Sequence, residues 1–600
     1  MVLPARTASL LPLLLALVVL GAVLTATVVP GVFTIDDDNY LVNVLALRQG
    51  RVTIGNTEGL PPSRELLFFD PGPWGRAVTS TPVASTAPPL YAPLALPFSV
   101  AGWRGLVALN TLAYLVTIAL IFVYVRRYAP AASAPWIAAG AFALGGFVIE
   151  YAQGLWPHAL SIALCTAGIL AAGTAIDRDR GGGPRPAAAA GFLLAVAAGI
   201  RYQNAVIVAA AGVGILLWSE RRRVALCAFA AAAAIPVAAS AAINHARLAS
   251  WNPISKGPAY LRVSPLSSSF FDPLVMFWAR MVDFTVRPPL AGPTVGWDRY
   301  DRLTGAHLMA GLTLQKAFLQ SAPWAVLAFV LFALAWTTAF PMPAARRRQL
   351  RMLSLIAAAP VVTFAFSGVQ RHDGISFNQR YLLELLPMAA VAFAWSLAEF
   401  QLRLRLLALG ALAGICLAVA IVAMPMGTAR FLAELKLPLA LAAALAITWF
   451  LARSHPALLP VMSLAAGLCL GWALALHLAD DVQASRLLRT VNLARTRALA
   501  SVVPDVSALV TYGGNKDASV PLLFDRDVVI LDARADEGHD APALIRALLT
   551  RGRRVFVVPG GFPRQVLLRV LSGWQVLPAG HTEGALLELR GESAGPGNPE

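Results

Sequence analysis

Apolar runs of membrane-spanning length recur along almost the whole chain, and they leave very few folds open. They fall at roughly 10–30, 105–125, 134–150, 155–176, 187–200, 203–218, 224–243, 320–340, 352–369, 381–398, 405–424, 437–452 and 457–478. With about 20 residues needed to cross a bilayer as a helix, this predicts about thirteen spans, several of them short. Only 13% of the residues are charged, against roughly 25% in soluble domains. The first run is too long for the apolar core of a secretory signal and is read as an uncleaved spanning helix.

The net charge of +16 comes almost wholly from Arg, because Lys stands only at 256, 316, 436 and 516. Such a charge can mark nucleic-acid binding. Here it collects between apolar runs instead, in every second loop: Arg126-Arg127, Arg178 with Arg180 and Arg185, Arg221-Arg222-Arg223, Arg346-Arg347-Arg348 with Arg351, Arg403 with Arg405, and Arg453. That alternation is the signature of cytoplasmic loops, so no nucleic-acid partner is expected. With Arg6 inside and an odd number of spans, the C-terminus lies outside. The four cysteines, Cys165, Cys227, Cys416 and Cys469, sit singly within apolar runs, as small core residues rather than disulfide or metal ligands.

The expected fold is therefore an all-α polytopic membrane module over residues 1–480, followed by a small extracytoplasmic α/β domain over 481–600. The membrane module carries two long exterior loops, 31–104 and 244–320, and loops of this length are candidates for function. In the tail, 508–512, 527–531 and 554–558 read as strands, while 541–550 and 563–571 read as helices. Gly513-Gly514 and Gly560-Gly561 follow strands without matching a phosphate-loop pattern, so they read as turns. Residues 592–600 read as disordered.

The first exterior loop opens on Thr34-Ile35-Asp36-Asp37-Asp38-Asn39-Tyr40. On a helix, Asp36, Tyr40, Asn43 and Leu47 share one face, and Leu41, Val44, Leu45 and Arg48 another, which predicts a helix lying along the membrane interface. Thr34 with Asp37 also matches a helix capping box, which alone accounts for one or two of the acids. It accounts less well for three acids at a membrane exit. The loop ends in Pro88-Pro89-Leu90-Tyr91, read as re-entry into the membrane surface. The second exterior loop interleaves Arg247 and Lys256 with Trp251 and Tyr260, a pattern suited to an anionic, partly greasy ligand.

In this order, an apolar first helix, clustered acids with Tyr40 shortly after, the Pro-Pro-Leu-Tyr91 stretch, Trp156-Pro157-His158, Asn244, and Gln379-Arg380-Tyr381-Leu382-Leu383 resemble the GT-C glycosyltransferases. These are the polyprenyl-phosphate-sugar-dependent enzymes related to protein mannosyltransferases and the lipid A aminoarabinose transferase. The likeness covers roughly 10–480. The acidic pair of that family is often Asp-Glu, where this chain has three Asp.

The resemblance implies transfer of a sugar from a polyprenyl-phosphate donor to a hydroxyl on a glycan, lipid or protein acceptor. The reaction would take place at the outer face of a bacterial cytoplasmic membrane, by inverting displacement. Such a reaction needs a base for the acceptor proton, here Asp36 or Asp37, with spacing to Tyr40 favouring Asp36. It also needs cations for the departing phosphate, with Arg380, Lys256, Arg247, His158 and Arg201 as candidates, and Tyr40 and Tyr91 on the acceptor side.

Each candidate has a plainer alternative. His158 can be a satisfied polar residue, Arg201 an interfacial anchor, and Arg247 and Lys256 solvated charge. Arg371-His372-Asp373 reads as ordinary loop. Glu58, Glu65 and Asp70 offer a further acid or a metal ligand, but no spacing selects one, so a divalent metal is neither required nor excluded. Two competing functions are a transporter or flippase, for which charges within the spans are scarce, and an envelope assembly scaffold.

Overall fold

The computed structural model describes residues 10–48, 87–254, 316–366 and 378–592, with isolated positions at 50, 52, 277–278, 281–282 and 285–286. Excepted within those ranges are 34, 129–130, 178–181, 339, 401, 426–427, 513–515, 520, 523–525, 527, 534–538, 540 and 580–585. Lys256, Glu58, Glu65, Asp70, the 371–373 triplet, Gly513-Gly514 and nearly all of the 592–600 tail lie outside the described residues.

Each apolar run contains a helix. Among the described residues, six helices are long and apolar enough to cross a membrane, and further apolar helices are shorter. The run expected at 134–150 is broken. Its helix ends at Ala143, a second short helix occupies Ile149–Ala152, and the Trp324 indole donates to the freed Gly145 carbonyl at 2.6 Å. The 187–218 region is two helices, Pro184–Ile200 and Ala205–Trp218, separated by extended backbone at Arg201 and a 3-10 turn, Tyr202–Asn204. Of the cysteines, Cys165 and Cys469 are buried. Cys227 and Cys416 are exposed, so the expectation of core packing fails for that pair.

The tightest helix pair joins Leu404–Val422 to Leu459–Leu476. Gly410 and Gly414 on one helix face Gly467 and Gly471 on the other, each at four-residue spacing. A Cβ at Gly410 would strike the Leu464 carbonyl oxygen, and a Cβ at Gly471 that of Ala411. Between apolar helices, association rests on such close backbone approach rather than on water exclusion.

The last apolar helix, Leu459–Leu476, does not end where its apolar run does. It passes through a π-helical turn, His477–Val482, into the amphipathic helix Gln483–Val502. The chain then forms a five-stranded sheet: β1 (Ser507–Thr511), β2 (Val528–Asp532), β3 (Arg554–Val557), β4 (Trp574–Pro578) and β5 (Leu587–Glu592). Its order is β2-β1-β3-β5-β4. β1 pairs in parallel with β2 and β3, and β5 is antiparallel to both β3 and β4. The first three strands and the helices Ala541–Thr550 and Arg564–Leu571 fall where the sequence predicts. β4 and β5 were not anticipated.

Alternation along the strands divides their side chains between two cores. Ala508, Val510, Val555 and Val557 pack with Leu544, Ile545 and Leu548. Leu509, Ile530 and Phe556 face the other way and belong to one apolar core with Leu41, Val42 and Val44 of the helix Ile35–Arg48 and with Tyr91. That helix is therefore not spread on an interface with one wet face. Asn43 is buried as well as Leu41 and Val44, and the short helix Lys516–Ser519 of the C-terminal domain packs against this helix.

Two expectations follow. Gly471→Ala should lower the melting temperature in detergent, on the scale of an overpacked core, about 1–3 kcal/mol. Gly140→Ala, where an added Cβ meets nothing, should be neutral. At the sheet, Arg554 Nε donates to Glu588 Oε1 at 2.7 Å, and this bond is the main cause holding the Glu588 carboxyl below the usual glutamate range. A depressed folded-state value gives stability that is present above the unfolded value, roughly 4.3, and is lost as pH falls through the folded one. The melting-temperature gap between wild type and Glu588→Gln should be widest near about pH 7 and close below about pH 4.

Candidate functional site

The chain leaves its first helix through Val28–Phe33 and docks on the helix Gln483–Val502. Gly31 has φ +131°, and any Cβ there would strike the Arg489 carbonyl oxygen. Asn492 Nδ2 donates to the Val32 carbonyl at 2.8 Å. The helix Ile35–Arg48 then starts with Asp37 turned inward, 2% exposed, and the Phe33 N–H donates to Asp37 Oδ2 at 2.6 Å. Asp37 thus accepts a backbone N–H from just before the helix; Thr34, its expected capping-box partner, lies outside the described residues.

Asp37 lines a narrow cleft with Phe33, Glu150, Tyr151, Gly154, Trp156, Ser485 and Arg489. The break after Ala143 supplies its wall. Residues 149–157 turn back on themselves and expose backbone carbonyls, which Arg489 NH1 and NH2 bind at Gln153 (3.0 Å) and Glu150 (3.2 Å). Gly154 leaves room for that guanidinium, since a Cβ would lie 2.7 Å from NH2. Asn110 holds the same turn through the carbonyls of Gly154 (2.9 Å) and Trp156 (2.8 Å). Glu150 and Asp37 both act electrostatically on Arg489.

Aromatic rings tie this cleft to the remaining candidates. Trp156 meets Phe33 edge-on at 5.6 Å and stacks with Tyr151 at 5.5 Å and His158 at 4.9 Å. The Arg380 guanidinium sits 5.3 Å from the Trp156 ring centroid, a cation–π contact worth about 0.5–2 kcal/mol. Arg201, projected by the helix break, donates to Glu384 Oε1 at 2.7 Å and to the Arg380 carbonyl at 2.9 Å. Ser161 and Asn204 extend this network.

Asp37, His158, Arg201 and Arg380 therefore converge around one tryptophan. Tyr40 and Tyr91 meet edge-to-face at 5.4 Å, and the Tyr91 hydroxyl reaches the carbonyl of Leu155, next to Trp156, at 3.4 Å. Arg247 takes a different task. Its guanidinium donates to Asn244 Oδ1 and to the Ala87 carbonyl, fastening the start of the re-entrant segment. Asp36 lies on the same helix as Asp37, but its side chain is outside the described residues.

Sequence reasoning missed Arg489 and Glu384 altogether and gave Glu150 no role. Glu384 carried a usable signal, an acid four residues after Arg380 at the onset of an apolar helix. Arg489 carried none, because it is one Arg among several in an amphipathic helix. Among the described residues, no group of three His, Cys, Asp or Glu side chains is placed to hold a metal ion.

No protein-family model matches the chain, and no curated protein does. The architecture is that of a multi-pass membrane protein whose overall fold is shared with solved structures. Among solved structures, the chain is similar to ArnT from Cupriavidus metallidurans in the apo state, with TM-score 0.56 and 13% identity over 98% of both chains. It is also similar to ArnT from the same organism bound to undecaprenyl phosphate, with TM-score 0.53 and 15% identity, again over 98% of both. At these identities the likeness establishes the fold.

Breaking one side of the Arg201–Glu384 pair should be far worse than removing both. Glu384→Gln leaves a buried guanidinium without its carboxylate and should destabilise the protein by about 3–5 kcal/mol. Arg201→Met with Glu384→Met should regain most of that loss, read by denaturant unfolding in detergent.

Proposed function

We propose that the protein is an integral-membrane glycosyltransferase. It moves a sugar from a polyprenyl-phosphate donor to a hydroxyl acceptor at the exterior face of the bacterial cytoplasmic membrane. One observation carries the proposal. The buried carboxylate of Asp37 and the guanidinium of Arg489 open on the same aromatic-walled cleft, with Arg380 lying across Trp156. The fold shared with ArnT supports it, one of whose structures holds undecaprenyl phosphate.

In this reading Asp37 is the general base. A carboxylate within reach of the acceptor hydroxyl accepts its proton as the oxygen attacks the anomeric carbon. The phosphate departs from the opposite face, so the anomeric centre inverts. The leaving phosphate carries its own negative charge and needs no proton; it needs cations. Arg380 is the principal one, with Arg201 holding its backbone carbonyl and His158 stacked beside Trp156. Charge stabilisation of this kind gains strength where water is excluded. The faces of Trp156 and Tyr151 suit a sugar ring, whose C–H surface is apolar and whose rim is polar. Tyr40 and Tyr91 border the acceptor side. The Arg-rich alternate loops support an exterior location for this face and for the C-terminal domain.

The test is turnover of labelled polyprenyl-phosphate sugars by the purified protein. Asp37→Asn should lower kcat by about 10²–10⁴-fold. Asparagine keeps a carbonyl oxygen for the Phe33 N–H, so the helix start should survive the change. Asp36→Asn should have a much smaller effect. Full turnover by both single variants and by the double variant would remove the proposed base.

A further inference from the structure

A second buried cluster lies beside the cleft, and the chemistry above makes no use of it. Its centre is Asp481, in the π-helical turn His477–Val482. One oxygen, Oδ1, accepts from Lys316 Nζ at 2.7 Å. The other, Oδ2, accepts from Asn378 Nδ2 at 2.8 Å and lies 3.0 Å from His477 Nδ1. Lys316, Asn378, His477 and Asp481 are all buried. Replacing a buried ion pair by apolar side chains is often neutral or stabilising, so stability alone is a weak reason for this arrangement. What it does achieve is position.

Asn378 is gripped at both ends of its amide: Nδ2 donates to Asp481, and Oδ1 accepts from Ser321 Oγ at 2.7 Å. Two residues on, the Arg380 N–H donates to the Asn378 carbonyl at 2.8 Å, and Arg201 binds the Arg380 carbonyl. The backbone that carries Arg380 is therefore pinned on both sides. One pin belongs to the helix break at Arg201, and the other to the last membrane helix.

We propose that Asp481 is a positioning residue. Through Asn378 it fixes the turn 378–380, and so holds the Arg380 guanidinium over Trp156 where the donor phosphate binds. This rests on the donor-phosphate role given to Arg380 above.

The experiment is steady-state kinetics with the full-length protein and a labelled polyprenyl-phosphate sugar, with melting temperature as the control for folding. Asn378→Ala cuts the link and leaves Lys316 paired with Asp481. Asp481→Leu with Lys316→Met removes the acceptor without leaving a buried charge alone. Each should raise the donor KM about tenfold, the size of one buried hydrogen bond, with kcat within about twofold of wild type. In an Arg380→Ala background, Asn378→Ala should change the donor KM no further, as expected of two residues acting through one contact. An unchanged donor KM in both first variants overturns the inference, as does an effect that simply adds to that of Arg380→Ala; in either case the role of Arg380 stands. If Arg380→Ala itself leaves the donor KM unchanged, the donor-phosphate assignment falls and the positioning role falls with it.

Discussion

The structure turns on a guanidinium that has nowhere wet to go. Arg489 is 5% exposed, and a buried cation without partners costs several kcal/mol. Its partners come from across the molecule. The carbonyls of Gln153 and Glu150 take its N–H groups, the Phe33 ring lies 5.9 Å away, and the Asp37 and Glu150 carboxylates supply opposing charge. Three stretches of chain must meet for this to hold: the exit from the first helix, the broken turn after Ala143, and the last helix beyond the bilayer. The cleft is the space left where they meet.

The same arrangement explains why the C-terminal sheet is more than an appendage. The last membrane helix runs through the π-helical turn His477–Val482 into Gln483–Val502 and on to the sheet, whose side chains share a core with the helix that carries Asp37. Leu509, Ile530 and Phe556 share one apolar core with Leu41, Val42 and Val44. Burial of each large apolar side chain contributes about 1.5–3 kcal/mol, enough in sum to hold a short acidic helix in one orientation. The acid is thus placed from both sides, by the membrane module beneath and by the sheet above.

Helix interruptions do much of the chemical preparation. A regular helix uses its carbonyls internally and offers none to a ligand or an arginine. Breaks near Gly145 and at Arg201, and the wide turn at His477–Val482, each free backbone groups or redirect side chains. π-helical turns within α-helices are often found at functional sites for this reason.

Much of this was legible in the sequence. Hydropathy located the helices because the transfer of a segment into lipid sums over that segment alone. Alternation located β1, β2 and β3, and the acid cluster after the first helix drew attention to Asp36 and Asp37, with spacing to Tyr40 favouring Asp36. β4 and β5 escaped because their exposed, mixed composition resembles loop. Gly410 with Gly414 and Gly467 with Gly471 stood in plain view as paired small-residue motifs, yet only the packed structure shows them facing each other. Which cations meet which acids was decided by tertiary structure alone. Arg489 lies 336 residues from Gln153, and Arg201 lies 183 from Glu384. Local pattern carries no information across such separations; those pairings exist because each buried charge must find its partner wherever the packing of helices brings one.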